Sequence, residues 1–198
     1  MSIMNQRLLT GSMLALFAPL AVAHPGQGMP AGLVSGVVHP LTGVDHLLVM
    51  LMAGLFIGRL AGNRAGLWLA GFVTAFVLAM LAGSQGAGAV AAGVELLLAG
   101  SVVFAGLAWL MITPGRHTLL LVAGLAVAGL HGYVHGLEIP LAARAAWMAG
   151  VTTAMLAVTG GAVLLGRLAL DRVQPDPRFR FLGYGIVAWG SALILAPS

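Results

Sequence analysis

The sequence predicts an all-α polytopic membrane protein, with six transmembrane helices that follow a cleavable signal peptide. Of its 198 residues, 60% are hydrophobic and 7% are charged, whereas soluble domains carry about 25% charged residues. Several apolar runs reach the roughly 20 residues that a helix needs to cross a bilayer, and they lack the period-two alternation of barrel strands. The chain has no Cys, so disulfides, thiolate metal ligands and cysteine catalysis are excluded.

The first 23 residues resemble a secretory signal peptide. Arg7 precedes a short apolar stretch, Leu8–Val22, and an A-x-A cleavage pattern ends at Ala23. The alternative is a first transmembrane helix that stays attached. Cleavage would make His24 the mature N-terminus, where its imidazole and free amine could chelate a metal ion together.

Residues 24–198 are predicted to form a single transmembrane domain, without a separate soluble part. The six predicted spans are 31–57, 67–82, 90–112, 118–137, 142–165 and 181–196. The segments between them are short and rich in Gly, Pro, Asn and Ser, which favours antiparallel neighbouring helices.

The arginines favour one orientation in the membrane. Seven of them fall in the predicted inner loops, and only Arg144 falls in an outer loop. The inner ones are Arg59, Arg64, Arg116, Arg167, Arg172, Arg178 and Arg180. This positive-inside bias predicts an inner-membrane protein with periplasmic N- and C-termini. It also accounts for the net charge of +4, so the expected partner is the lipid bilayer and not nucleic acid, and a homo-oligomer stays open.

The first predicted span carries an unusual polar cluster, His39-Pro40-x2-Gly43-x-Asp45-His46. A charged residue at the centre of a membrane helix costs about 2.5–3.5 kcal/mol, so a bound cation is the simplest compensation. Neutral imidazole nitrogens and carboxylate oxygens are metal ligands. Pro40 and Gly43 predict that the helix is broken or begins here.

A second polar cluster, His131-Gly132-x2-His135-Gly136-x-Glu138, lies at the outer end of the fourth predicted span. His131 and His135 are four residues apart and share one helix face with Glu138. The first cluster lies at a compatible depth, so the two clusters could face each other. Glu95, in the third span, is a further candidate because an acid inside the membrane is a functional hypothesis by default.

Glycines and tryptophans are predicted to pack helices and not to build the site. Gly54-x3-Gly58 and Gly132-x3-Gly136 place small residues at helical spacing, which allows close helix approach. Because Gly132 and Gly136 flank the two histidines, an alternative is that they make room for a ligand. Trp68, Trp109, Trp147 and Trp189 are interpreted as interface anchors or packing residues.

The two paired motifs, together with the predicted signal peptide, His24-Pro25-Gly26 and the acidic third span, resemble the HupE/UreJ family of small bacterial nickel permeases. The resemblance covers the whole chain. It implies uptake of Ni²⁺, with Co²⁺ as an alternative cargo, and no resident cofactor. It also implies metal-binding roles for His39, Asp45, His46, His131 and His135, extended to Glu138 and Glu95. His24 is a further candidate ligand because of its place at the predicted mature N-terminus.

Two other functions are compatible with the same residue types. An intramembrane hydrolase could hold zinc with histidines and use a carboxylate as base. An accessory membrane subunit could hold a structural metal. The permease interpretation assigns no catalytic residue, and the sequence has no G-x4-G-K-[ST] motif for ATP binding.

Overall fold

The apolar runs of the sequence form helices wherever the structure describes them. The computed structural model describes residues 30–60, 63–86, 92–113, 115–169 and 180–195. In these ranges seven α-helices and one 3-10 turn form: α1 Leu33–Thr42, α2 Val44–Gly58, α3 Arg64–Gly83, α4 Ala92–Met111, α5 His117–Leu137, the turn Leu141–Ala143, α6 Arg144–Ala169 and α7 Arg180–Leu195. The predicted all-α class is confirmed. The proposed signal peptide and His24 lie outside the described residues.

Four of these helices, α3 to α6, are long and apolar enough to cross a membrane. Helices α1 and α2 meet that criterion only together, as one span bent by 83°. Helix α7 has 16 residues, fewer than the roughly 20 that a straight span needs. The described residues therefore contain four spans, or five if the bent pair counts as one, so the predicted number of six is not confirmed.

The first predicted span is broken at Gly43, as Pro40 and Gly43 indicated. Pro40 has no N–H to donate to the carbonyl of Gly36, and Gly43 is extended, with φ −81° and ψ 109°. The hydroxyl of Thr42 donates to the carbonyls of Val38 and His39, at 3.1 and 2.9 Å, and so satisfies the end of α1. The break places the end of one helix and the start of the next at the same depth.

Glycines bring the helices together in pairs. Helix α3 packs along α5, α4 along α7, and both α1 and α2 pack along α6. A Cβ on Gly132 would collide with the backbone of Phe76, and one on Gly136 with the backbone of Met80. The packing role predicted for these glycines is confirmed. The alternative that they make room for a ligand is wrong, because their faces are filled by α3.

Candidate metal centre

The break between α1 and α2 positions the three polar side chains of the first motif. His39 lies in the last turn of α1, and Asp45 and His46 lie in the first turn of α2. Space at the break is tight: a Cβ on Gly43 would come within 2.9 Å of His46 Nδ1 and 3.1 Å of Asp45 Oδ1. Glycine at this position therefore lets both side chains fold back over the break.

The end of α5 positions the second motif. His131 and His135 lie one turn apart, and Glu138 caps the helix with its N–H bonded to the carbonyls of Val134 and His135. Both histidines are buried, with 4% and 1% of their surface exposed. Their shared helix face points at the break between α1 and α2, since the rings of His46 and His131 lie 4.9 Å apart.

An outer group of three side chains joins α1 to α5. Nε2 of His39 lies 3.0 Å from Oε2 of Glu138, and Nδ1 of His135 lies 3.5 Å from the same oxygen. One donor atom from each of these residues lies within 4.8 Å of the other two. Metal–ligand bonds of about 2 Å hold donor atoms some 3–4 Å apart. Small side-chain rotations would therefore let this group share one ion.

A deeper group joins α2 to α5. Nδ1 of His46 donates to Oδ1 of Asp45 at 2.8 Å, and the His46 ring lies 4.5 Å from that of His135. Nε2 of His46 is buried and has no hydrogen-bond partner in the part of the chain that the structure describes. A buried nitrogen with a free lone pair is costly to leave without a partner, and a metal ion is one that would satisfy it.

A small cavity of about 10 Å³ lies beneath these rings. It is lined by His46, His131 and His135 and by Met50, Phe72, Phe76 and other apolar side chains. About 10–15 Å³ is the least volume that holds one water molecule, so an ion that enters here must shed most of its hydration shell. The histidine nitrogens and the Asp45 carboxylate are the groups that could replace that water.

Glu138 supplies negative charge at the mouth of the site, where its side chain is 33% exposed. Partial burial acts to raise the pKa of this carboxyl, but the neighbouring imidazoles of His135 and His39 outweigh it, and the pKa lies below its ordinary value. Glu138 is therefore a carboxylate at neutral pH and can accept a cation.

Two site neighbours were not predicted from the sequence. Ser101, on α4, lies 2.8 Å from Nε2 of His131. Trp147, on α6, is buried, and its ring lies 5.2 Å from that of His39 and 6.1 Å from that of His135. Trp147 is packed in the buried core, as predicted, and this packing also places its ring beside the site. The sequence does show Ser101 as a single serine within an apolar helix, but this pattern does not indicate which residue the serine contacts.

The remaining candidates do not join the cluster. Glu95 is exposed in the first turn of α4 and has no hydrogen bond or ion pair to other described residues. It lies six residues before Ser101, about 120° around the helix. His117 bonds the carbonyl of Phe56 at 3.1 Å, at the opposite end of α5 from the cluster, as expected for a residue outside the site.

The arrangement gathers four imidazoles and two carboxylates from three helices inside an otherwise apolar bundle. Imidazole and carboxylate ligands bind divalent transition metals. The outer group contains Glu138 and His39, and the deeper group contains His46. The donor atoms are therefore spread from the outer group to the deeper one, and they do not surround a single point.

Comparisons with known proteins identify the family of this chain. The family model described as HupE / UreJ protein matches residues 12–193. Protein HupE of Rhizobium leguminosarum bv. viciae is 32% identical over 161 residues, which cover 79% of each chain. No solved structure matches the chain. The comparisons do not support the hydrolase alternative. The match over nearly the whole chain shows that this protein belongs to the HupE/UreJ family.

Proposed function

We propose that this protein is a permease that takes up a divalent transition-metal ion, with Ni²⁺ as the preferred cargo, across the bacterial inner membrane. The observation that carries the proposal is the meeting of two motifs: His46 and His131, 85 positions apart in the chain, bring their rings within 4.9 Å inside an apolar bundle. Membership of the HupE/UreJ family supports the same cargo class.

The proposed path begins at the outer group. An ion first meets Glu138 and His39, with His24 at the mature N-terminus as a further ligand at the entrance. It then exchanges ligands, keeping His135 while it gains His46 and His131. This transfer loses one ligand as it gains another, so no position needs to bind tightly enough to trap the ion. Release to the inner side would follow from movement at the break near Gly43.

The proposed topology has six spans after a removed signal peptide of 23 residues. Helices α1 and α2 together form the first span as a broken helix, and α7 forms the last. This arrangement keeps Arg59, Arg116 and Arg167 on the inner side and both termini in the periplasm. Broken helices that place a site near the middle of the membrane are a recurrent feature of transporters.

The membrane potential is a sufficient driving force for this uptake. A potential of 100 mV, inside negative, supplies about 2.3 kcal/mol per charge, and so about 4.6 kcal/mol for a divalent ion. That free energy corresponds to a concentration ratio above a thousand, at about 1.4 kcal/mol per factor of ten. Uptake therefore requires neither ATP nor a coupled ion.

The cargo preference is part of the proposal. Affinity for nitrogen and oxygen ligands rises from Co²⁺ to Ni²⁺ and Cu²⁺, so ligand type alone favours Ni²⁺ over Co²⁺ only modestly. Geometry and supply would have to exclude Cu²⁺. Competition of unlabelled Co²⁺ against labelled Ni²⁺ measures this preference directly.

The test is uptake of radiolabelled Ni²⁺ into vesicles that contain the full chain. We expect His46→Ala and His131→Ala to abolish the uptake that the wild type shows under an inside-negative potential. His117→Gln is the control, because His117 bonds a backbone carbonyl away from the cluster. If the wild type moves no Ni²⁺ or Co²⁺, or if both alanine variants match it, the proposal fails.

A further inference from the structure

Ser101 is a polar residue in an apolar helix, and its hydroxyl has two partners. It lies on α4 and is 5% exposed. Its Oγ is 2.6 Å from the carbonyl oxygen of Leu98 and 2.8 Å from Nε2 of His131. Neither of the two histidine motifs contains Ser101, so its contact with the site comes from a fourth helix.

The number of hydrogens on this hydroxyl decides the direction of both bonds. A serine hydroxyl has one hydrogen and two lone pairs, and a carbonyl oxygen can only accept. A separation of 2.6 Å between Ser101 and the Leu98 oxygen therefore requires that the hydroxyl hydrogen lie between them. The hydroxyl has only lone pairs left for His131, so Nε2 of His131 must donate.

This direction assigns the atoms of the His131 ring. A neutral imidazole carries one N–H, and a metal binds at the other nitrogen. If Nε2 carries the hydrogen, Nδ1 is the nitrogen with the lone pair. His46 shows the complementary arrangement: its Nδ1 donates to Asp45, and its Nε2 is left without a partner among the described residues.

We infer that Ser101 is a positioning residue, which holds His131 in the Nε2–H tautomer and so makes Nδ1 its metal-binding atom. The metal-binding part of this inference rests on the proposed function, whereas the tautomer does not. Ser101 acts on His131 as Asp45 acts on His46, with a neutral hydroxyl in place of a carboxylate. Each ring is thereby held by one nitrogen, and both rings line the same cavity. Such outer partners fix the tautomer and orientation of histidine ligands.

The tautomer is tested without any metal. The full chain is labelled with ¹⁵N-histidine and placed in lipid nanodiscs, and long-range ¹H–¹⁵N correlation spectra distinguish the N–H nitrogen from the lone-pair nitrogen in each ring. His131→Gln assigns the His131 signals by their loss. The variants are Ser101→Ala, which removes the acceptor, and Ser101→Thr, which keeps a hydroxyl.

Ser84→Ala is the matched control. Ser84 is also buried, and its hydroxyl also donates to the carbonyl three residues earlier, that of Leu81, at 2.7 Å, but it accepts from Nε2 of Gln85 and not from a histidine. We expect His131 to be Nε2–H in the wild type, in Ser101→Thr and in Ser84→Ala. We expect Ser101→Ala to give a mixture with the Nδ1–H form. An Nδ1–H ring in the wild type overturns the inference, even if Ser101→Ala does not fold.

A second measurement tests the consequence for metal binding. Titration of the purified protein with Ni²⁺ alone should show about 10–100-fold weaker binding in Ser101→Ala, the usual cost of losing an outer partner. Ser101→Thr should restore the affinity, and Ser84→Ala should leave it unchanged. Unchanged affinity in Ser101→Ala contradicts the positioning role. If the tautomers behave as expected but the wild type transports no metal, the proposed function fails and the assignment of His131 stands.

Discussion

Replacing Gly132 by alanine should destabilise the protein, although alanine is the better helix former. Gly132 lies between the two histidines of α5 and faces α3. A Cβ at this position would meet the backbone carbonyl of Phe76 at a distance that side chains do not adopt, and backbone atoms cannot rotate away. The helices must therefore move apart.

The size of the stability loss in Gly132→Ala follows from a comparison with Gly124 on the same helix. A Cβ on Gly124 would have nothing within 4 Å, so Gly124→Ala should gain the ordinary helix term of about 0.5–1 kcal/mol. Gly132→Ala gains the same term but adds an overpacking cost of about 1–3 kcal/mol. The helix term cancels between the two variants, so their free energies of unfolding should differ by about 1–3 kcal/mol.

Reversible unfolding in mixed micelles, followed by circular dichroism, measures this difference. Nickel binding gives a second readout, because separation of α5 from α3 displaces His131 and His135 from His46, and we expect weaker binding in Gly132→Ala alone. Equal stability of the two variants would refute the close packing of α3 on α5. Equal stability together with equal nickel affinity would also refute the dependence of the site on that packing.

Three further predictions concern the site and the helix break. Ni²⁺ at a hundred times its Kd should stabilise the protein by about 2.7 kcal/mol, which is measured as a rise in melting temperature. Glu138→Gln should lose most of this rise. Glu95→Gln is the control, since Glu95 lies outside the cluster, and it should keep the rise. Asp45→Asn should raise the KM for nickel uptake about 10–100-fold, because the carboxylate that orients His46 is lost; an unchanged KM would contradict this role. Thr42→Val should cost about 0.5–1.5 kcal/mol, because the single hydroxyl hydrogen is shared between two carbonyls, with little change in nickel affinity. An equally stable variant would show that the end of α1 does not depend on this bond.

The sequence pattern alone was sufficient for the helical class of the described residues and for the break in the first predicted span, but the predicted number of six spans is not confirmed. Long apolar runs must satisfy their backbone groups internally in a membrane, so they form helices whatever their neighbours are. Pro40 removes a backbone donor regardless of context. The spacing of His131 and His135 likewise fixes that they share a face. These are properties of one segment, and local chemistry determines them.

The neighbours of each helix face were decided only by the tertiary structure. Periodicity shows which residues of one helix point the same way, but not how that helix is rotated or which helix lies beside it. Ser101 contacts His131, and Trp147 borders His39, only because α4 and α6 pack where they do. For the same reason Glu95, an equally plausible acid in the sequence, is turned away from the cluster. Burial against particular partners is a property of the assembled bundle, since it depends on contacts between segments distant in the chain.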